Sequence, residues 1–103
     1  MDRHDLEQFA ARWAEAVARG TGFDALLAPG VDPGPYVARA AAVRARLGPL
    51  AVRVDAIVCE GDRLAWRWTV LAGENAIRGV NFQRLEGGRL VEHWTMTDLG
   101  QTA

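Results

Sequence analysis

"RLAWRWTVLAGENAIRGVNFQRLEGGRLVEHWTMTD", residues 63–98, decides the fold. Its apolar and polar residues alternate or run β-branched and aromatic, which is the pattern of strands rather than helices. Gly87-Gly88 is a tight hairpin signal, and "GEN" at 73–75 marks a second turn. Upstream, "LAVRVDAIVCE" has the same character and meets this stretch at Gly61-Asp62, a third hairpin signal. Four strands in an antiparallel meander are therefore predicted.

The first half has a different period. "DLEQFAARWAEAVARG" sets Leu6, Phe9, Ala10, Trp13 and Val17 on one helical face. Asp5 with Gln8 resembles a capping pair, and Gly20 is a stop. A short second helix is expected at "FDALLA", a break at "PGVDPGP", and a third helix at "YVARAAAVRARL". The fold class is α+β: three N-terminal helices packed on one face of a strongly curved antiparallel four-stranded sheet. At 103 residues, the chain is one domain, 1–103.

Composition excludes several functions. The net charge of −1 and the scattered arginines offer no basic patch for nucleic acid or an anionic membrane. The single cysteine, Cys59, excludes an internal disulfide and a thiolate metal site, and reads as a small buried hydrophobe. His4 and His93 lack metal-ligand spacing, and neither is expected to be catalytic. No metal or cofactor is expected. The polar start "MDRHDLEQF" is not a signal peptide, and no apolar run reaches membrane-spanning length, so the expected compartment is the cytoplasm.

Hairpin parity assigns the faces. A two-residue turn at Gly87-Gly88 puts Gln83 beside Glu92, Asn81 beside Trp94, Gly79 beside Met96 and Ile77 beside Asp98. The other face then carries Val80, Phe82, Val91 and His93. The "GEN" turn leaves two options. Three loop residues place Arg67 and Thr69 on the Asn81 face; two place Trp66 and Trp68 there.

"EGDRLAWRWTVLAG" followed by "IRGVNFQRLEGGRLVEHWTMTDLG" resembles the SnoaL-like polyketide cyclases of the nuclear-transport-factor-2-like superfamily. The resemblance implies a conical fold enclosing a pocket, and an Asp at the end of the last strand acting as acid/base in aldol closure. Asp98 occupies that place. The limonene epoxide hydrolases resemble the same strands with an Arg-x-Asp; here "RWT" keeps Arg67 but has Thr69 for the second carboxylate, which disfavours that mechanism. The match also favours the three-residue loop. On this reading Asp98 and Arg67 are the catalytic pair, and Asn81, Gln83 and Thr69 hold substrate oxygens. Trp94 and Met96 shape the cavity, and Tyr36 and Trp13 reach it from the helices. Trp66 and Trp68 would then face outward with Phe82 and Val91, as a sheet-to-sheet homodimer surface. The expected function is cofactor-free cyclisation or isomerisation of a polyketide-like, oxygenated apolar molecule. The shortened "PGVDPGP" and "GEN" regions favour the rival, a non-catalytic binding or dimerisation module with a vestigial pocket.

Overall fold

A computed structural model describes residues 2–98. Helix α1 spans Arg3–Arg19 and α2 spans Gly34–Leu47; strands β1 Ala51–Glu60, β2 Arg63–Ala72, β3 Asn75–Glu86 and β4 Arg89–Thr97 follow in a meander. The strand order is β1-β2-β3-β4, with every neighbouring pair antiparallel. The α+β architecture is as predicted, with two α-helices where three were expected.

The predicted second helix is only a single 3₁₀ turn, Phe23–Ala25. Gly22 enters it at φ 95°, and Pro29-Gly30 follow closely, so no room remains for a longer helix. The backbone instead pairs with the free edge of β4: Leu90 N donates to Leu26 O at 2.8 Å and Ala28 N donates to Leu90 O at 2.9 Å. At α1, the cap is one turn earlier than expected. Asp2 accepts from Asp5 N at 2.9 Å, and the Asp5 carboxylate accepts from Asp2 N at 3.4 Å.

Two features set which side chains enter the core. The β2–β3 turn has two residues, Gly73-Glu74, because Ala72 pairs with Asn75. Gly73 lies at φ 60°, the left-handed first position of a tight hairpin turn. Trp66 therefore pairs with Asn81 and Trp68 with Gly79. The expected three-residue loop is thus corrected: Arg67 and Thr69 lie on the outer face, and the two tryptophans point inward.

The second feature is a bulge in β4. Leu85 pairs with Leu90 but Arg84 pairs with Glu92, leaving Val91 as an extra residue. Leu85 and Leu90 are both fully buried, which holds Leu90 inward. Without the bulge Glu92 would share that inward face. The extra residue turns Glu92 outward, where its carboxylate accepts from Arg84 Nε at 2.8 Å. His93, Thr95 and Thr97 consequently face inward opposite Gln83, Asn81 and Gly79. Trp94 and Met96, expected inside, are 65% and 77% exposed.

Gly79 makes the inner packing possible. A Cβ there would overlap the Trp68 six-membered ring and come within 2.5 Å of the Met96 carbonyl oxygen. The Trp68 six-membered ring thus packs directly on bare backbone. Gly79→Ala should destabilise the fold by about 1–3 kcal/mol, since the clash involves backbone and a buried ring. The shift in the urea unfolding midpoint measures it.

Candidate functional site

The inner face of the sheet and the two helices enclose a cavity of about 130 Å³. Trp13 of α1 forms its back wall. That ring stands edge-on to Phe23 and Tyr36, each at 5.2 Å, and lies 5.1 Å from the His93 imidazole. Trp66, Trp68, Val70 and Ile77 supply the sheet wall, and Arg39 reaches the lining from α2 with its residue exposed. Aromatic and aliphatic walls with few polar groups are the ordinary makeup of a small-molecule site.

The polar groups are tied to the tryptophans. Trp66 Nε1 donates to Gln83 Oε1 at 2.8 Å, and Trp68 Nε1 donates to Asn81 Oδ1 at 2.9 Å. Gln83 Nε2 lies 3.1 Å from His93 Nδ1. Gln83 is fully buried and Asn81 is 5% exposed. Every buried side-chain nitrogen or oxygen among the described residues has a partner. Asn81 Nδ2 and His93 Nε2 make no protein hydrogen bond there, so both must remain accessible, and the cavity is the space they share.

Burial, with the Arg39 charge adding to it, pushes the His93 imidazole down to about 4. Burial also raises the Tyr36 phenol, so it stays protonated. The described residues that line the cavity include no carboxylate.

The sequence-derived candidates divide between two places. Trp13, Tyr36 and Asn81 line the cavity, and Gln83 holds His93 from behind. Arg67, Trp94 and Met96 are on the outer face, as is Thr69. Thr69 is buried there, its hydroxyl donating to Asp55 Oδ2 at 2.5 Å while Arg53 Nε donates to Asp55 Oδ1 at 2.6 Å. The Thr69 and Arg53 hydrogen bonds hold the Asp55 carboxyl below its usual range. Asp98 follows β4, one residue beyond the cavity-lining Thr97; its Oδ1 accepts from Arg78 N at 3.2 Å. His93, set aside in the sequence reading, is central to the cavity, and Trp66, Trp68 and Arg39 join it. The Gly-first turn at Gly73 was the available signal for the tryptophans; the β4 bulge carries no comparable local mark.

Residues 1–93 match the SnoaL-like domain family. The chain belongs to this family. Among solved structures, IdmH of Streptomyces antibioticus, a proposed polyketide cyclase, is 21% identical, with 89% of this chain and 91% of that one covered and a TM-score of 0.76. TsrD of Streptomyces laurentii is 24% identical over 96% of this chain and 92% of that one, with a TM-score of 0.72. A de novo designed protein with a curved β-sheet reaches 0.76 at 12% identity, with 97% and 90% coverage, which shows how far the fold alone carries such likeness. No protein of curated function matches the sequence. No helix among the described residues is long and apolar enough to cross a membrane.

The buried imidazole makes stability depend on pH. Above the ordinary value of 6.5, His93 is neutral folded and unfolded; between 6.5 and about 4 only the unfolded chain takes the proton. Stability should therefore fall as pH falls through this window and level off below it. The full shift corresponds to roughly 3 kcal/mol, discounted to about 1–2 kcal/mol because the ring keeps some solvent contact. Urea midpoints of the wild type and His93→Gln at pH 7.5 and 4.5 check this, because the variant should lose the added acid sensitivity.

Proposed function

We propose that this SnoaL-like domain binds an apolar, carbonyl-bearing small molecule and promotes its cyclisation or isomerisation through the enol form. The observation that carries the reading is the pair of fixed polar groups, Asn81 and His93, opening into a cavity whose walls are mostly aromatic and aliphatic. A hydrogen bond to a carbonyl oxygen strengthens as that oxygen gains enolate charge, so fixed donors lower the barrier to α-proton removal. Size narrows the ligand further. An apolar cavity near 150 Å³ takes up benzene, so about 130 Å³ holds one ring or its equivalent. The rest of a larger substrate would leave past Arg39. The description of IdmH as a proposed polyketide cyclase agrees with such a substrate.

Asp98 is kept as the proton acceptor in this reading; it is not itself a lining residue but stands at the cavity's edge, one residue beyond Thr97, with its Oδ1 accepting from Arg78 N. Acetophenone is a suitable probe, with binding read by quenching of tryptophan fluorescence and turnover by exchange of its methyl hydrogens into D₂O. Saturable binding and catalysed exchange are expected in the wild type. Asn81→Leu should weaken binding about tenfold, the scale of one lost hydrogen bond. Asp98→Asn should cut exchange on the order of 100-fold or more while binding holds. Absence of saturable binding sinks the reading; unchanged exchange in Asp98→Asn confines that residue to its tie with Arg78.

A second reading, assembly, is favoured by the outer face of the sheet. Val58, Ala65, Phe82 and Trp94 form one row across all four strands, and Val80 pairs with Met96 in the next. Val58 is 67% exposed and Phe82 42%. One flanking row is charged, Glu60, Arg63, Arg84 and Glu92. An apolar band with a polar border suits a second copy of the same face. We infer a homodimer through this band, with Phe82 retained from the expected set and Trp94, Met96 and Val58 replacing the inward Trp66 and Trp68. Sedimentation at micromolar concentration should give a dimer, and Phe82→Arg a monomer; a monomeric wild type rejects the interface.

A further inference from the structure

The geometry points to Gln83, held by Trp66, as a positioning residue that fixes His93 in the neutral Nε2–H form, so that the imidazole acts on a ligand as a hydrogen-bond donor and not as a base. This rests on the reading of the cavity as a carbonyl-binding site, but its structural core does not need a ligand. An indole N–H can only donate, so the Gln83 atom 2.8 Å from Trp66 Nε1 must be the carbonyl oxygen. The amide nitrogen is then turned toward His93, 3.1 Å from Nδ1. An NH₂ group can only donate, so Nδ1 must accept and carries no hydrogen. A neutral imidazole has one N–H, which is left on Nε2, the nitrogen without a hydrogen-bond partner among the described residues.

The same chain of donors opposes protonation. A cationic imidazole would bring an Nδ1–H against the Gln83 NH₂, two donors face to face inside a buried site. Arg39 and Tyr36, both from α2, are the other titratable groups lining the cavity; the first is cationic and the second neutral. Neither supplies the negative charge that would stabilise an imidazolium. The direction of His93's shift agrees with this arrangement.

Asn81 repeats the logic one pair along. Trp68 fixes its oxygen, and its NH₂ is left for the cavity. Trp66 and Trp68 are two residues apart on β2, and Gln83 and Asn81 two apart on β3, so the sheet carries the same indole-to-amide bond twice. One copy ends directly in a donor; the other passes through an imidazole to reach a second donor. The ligand group this favours is an acceptor oxygen, a carbonyl or an enolate, over an ammonium or a hydroxyl that must donate.

Imidazole ¹⁵N chemical shifts, recorded by long-range ¹H–¹⁵N correlation without ligand, test the relay. At pH 7 the wild type should show a pyridine-like Nδ1 and a pyrrole-like Nε2 for His93. Gln83→Glu replaces the donor with a carboxylate that still accepts from Trp66. It should move the proton to Nδ1, or protonate both nitrogens, and raise the His93 titration by about two units or more. A wild-type Nδ1–H tautomer, or an unmoved titration in a folded Gln83→Glu, overturns the proposal. Should Gln83→Glu fail to fold, Trp66→Phe removes the bond that orients the amide and should give mixed tautomers. A single unchanged tautomer there overturns the relay. Acetophenone binding is read separately: correct tautomers without binding reject the ligand reading and leave the relay standing.

Discussion

A strand shows alternate side chains to opposite faces, so a single extra residue exchanges everything beyond it. Val91 is that residue. Before it, Leu90 seals the core against Leu85; after it, His93, Thr95 and Thr97 face the helices while Glu92, Trp94 and Met96 face away. Burying the Glu92 carboxylate opposite Gln83 would leave a charge among aromatic rings with only the exposed Arg39 as a cation in the lining, at a cost of several kcal/mol. The bulge forfeits regular ladder pairing locally and avoids that penalty by placing Glu92 on Arg84. Hydrogen bonding to Arg84 accordingly keeps the Glu92 carboxyl below its usual range.

The fold class was legible because it rests on patterns that many residues share. The apolar stripe of α1, the break at Pro29–Pro35 and three glycine turns all point to helices followed by a meander. The inward parity of β3 was also legible, with Asn81 and Gln83 on one side. Cavity composition was not, because it depends on two one-residue decisions. The first, at Gly73-Glu74, had a signal: glycine at the first turn position, as at Gly61-Asp62. Resemblance to a family with an inward arginine outweighed it and sent Arg67 to the wrong face. The second, at Val91, could be inferred only by asking where Glu92 finds a partner.

Burying two amides in the sheet core is costly unless each is satisfied, and the tryptophans meet that need without adding charge. Each indole contributes a large apolar surface and one donor, and each amide has an acceptor to match it. A leucine at position 66 or 68 would fill space but leave an amide oxygen unpaired, at about 1–3 kcal/mol. Bare backbone at Gly79 completes the arrangement, since the Trp68 ring must lie across that position for its nitrogen to meet Asn81.

The two faces of the sheet thereby acquire different chemistry from one alternating sequence. Inside, indoles and amides are paired so that what Asn81 and His93 have left for a ligand is a hydrogen-bond donor each. Outside, Phe82, Trp94 and Met96 form an apolar band that no described element covers. The unbulged register would have mixed these sets, with an acid and a thioether in the cavity and an imidazole in the band. A cavity specialised in donors and an outer face specialised in apolar contact are thus two consequences of the same inserted residue. Changes that remove the bulge would be expected to disturb ligand recognition and assembly together, although the two surfaces share no side chain.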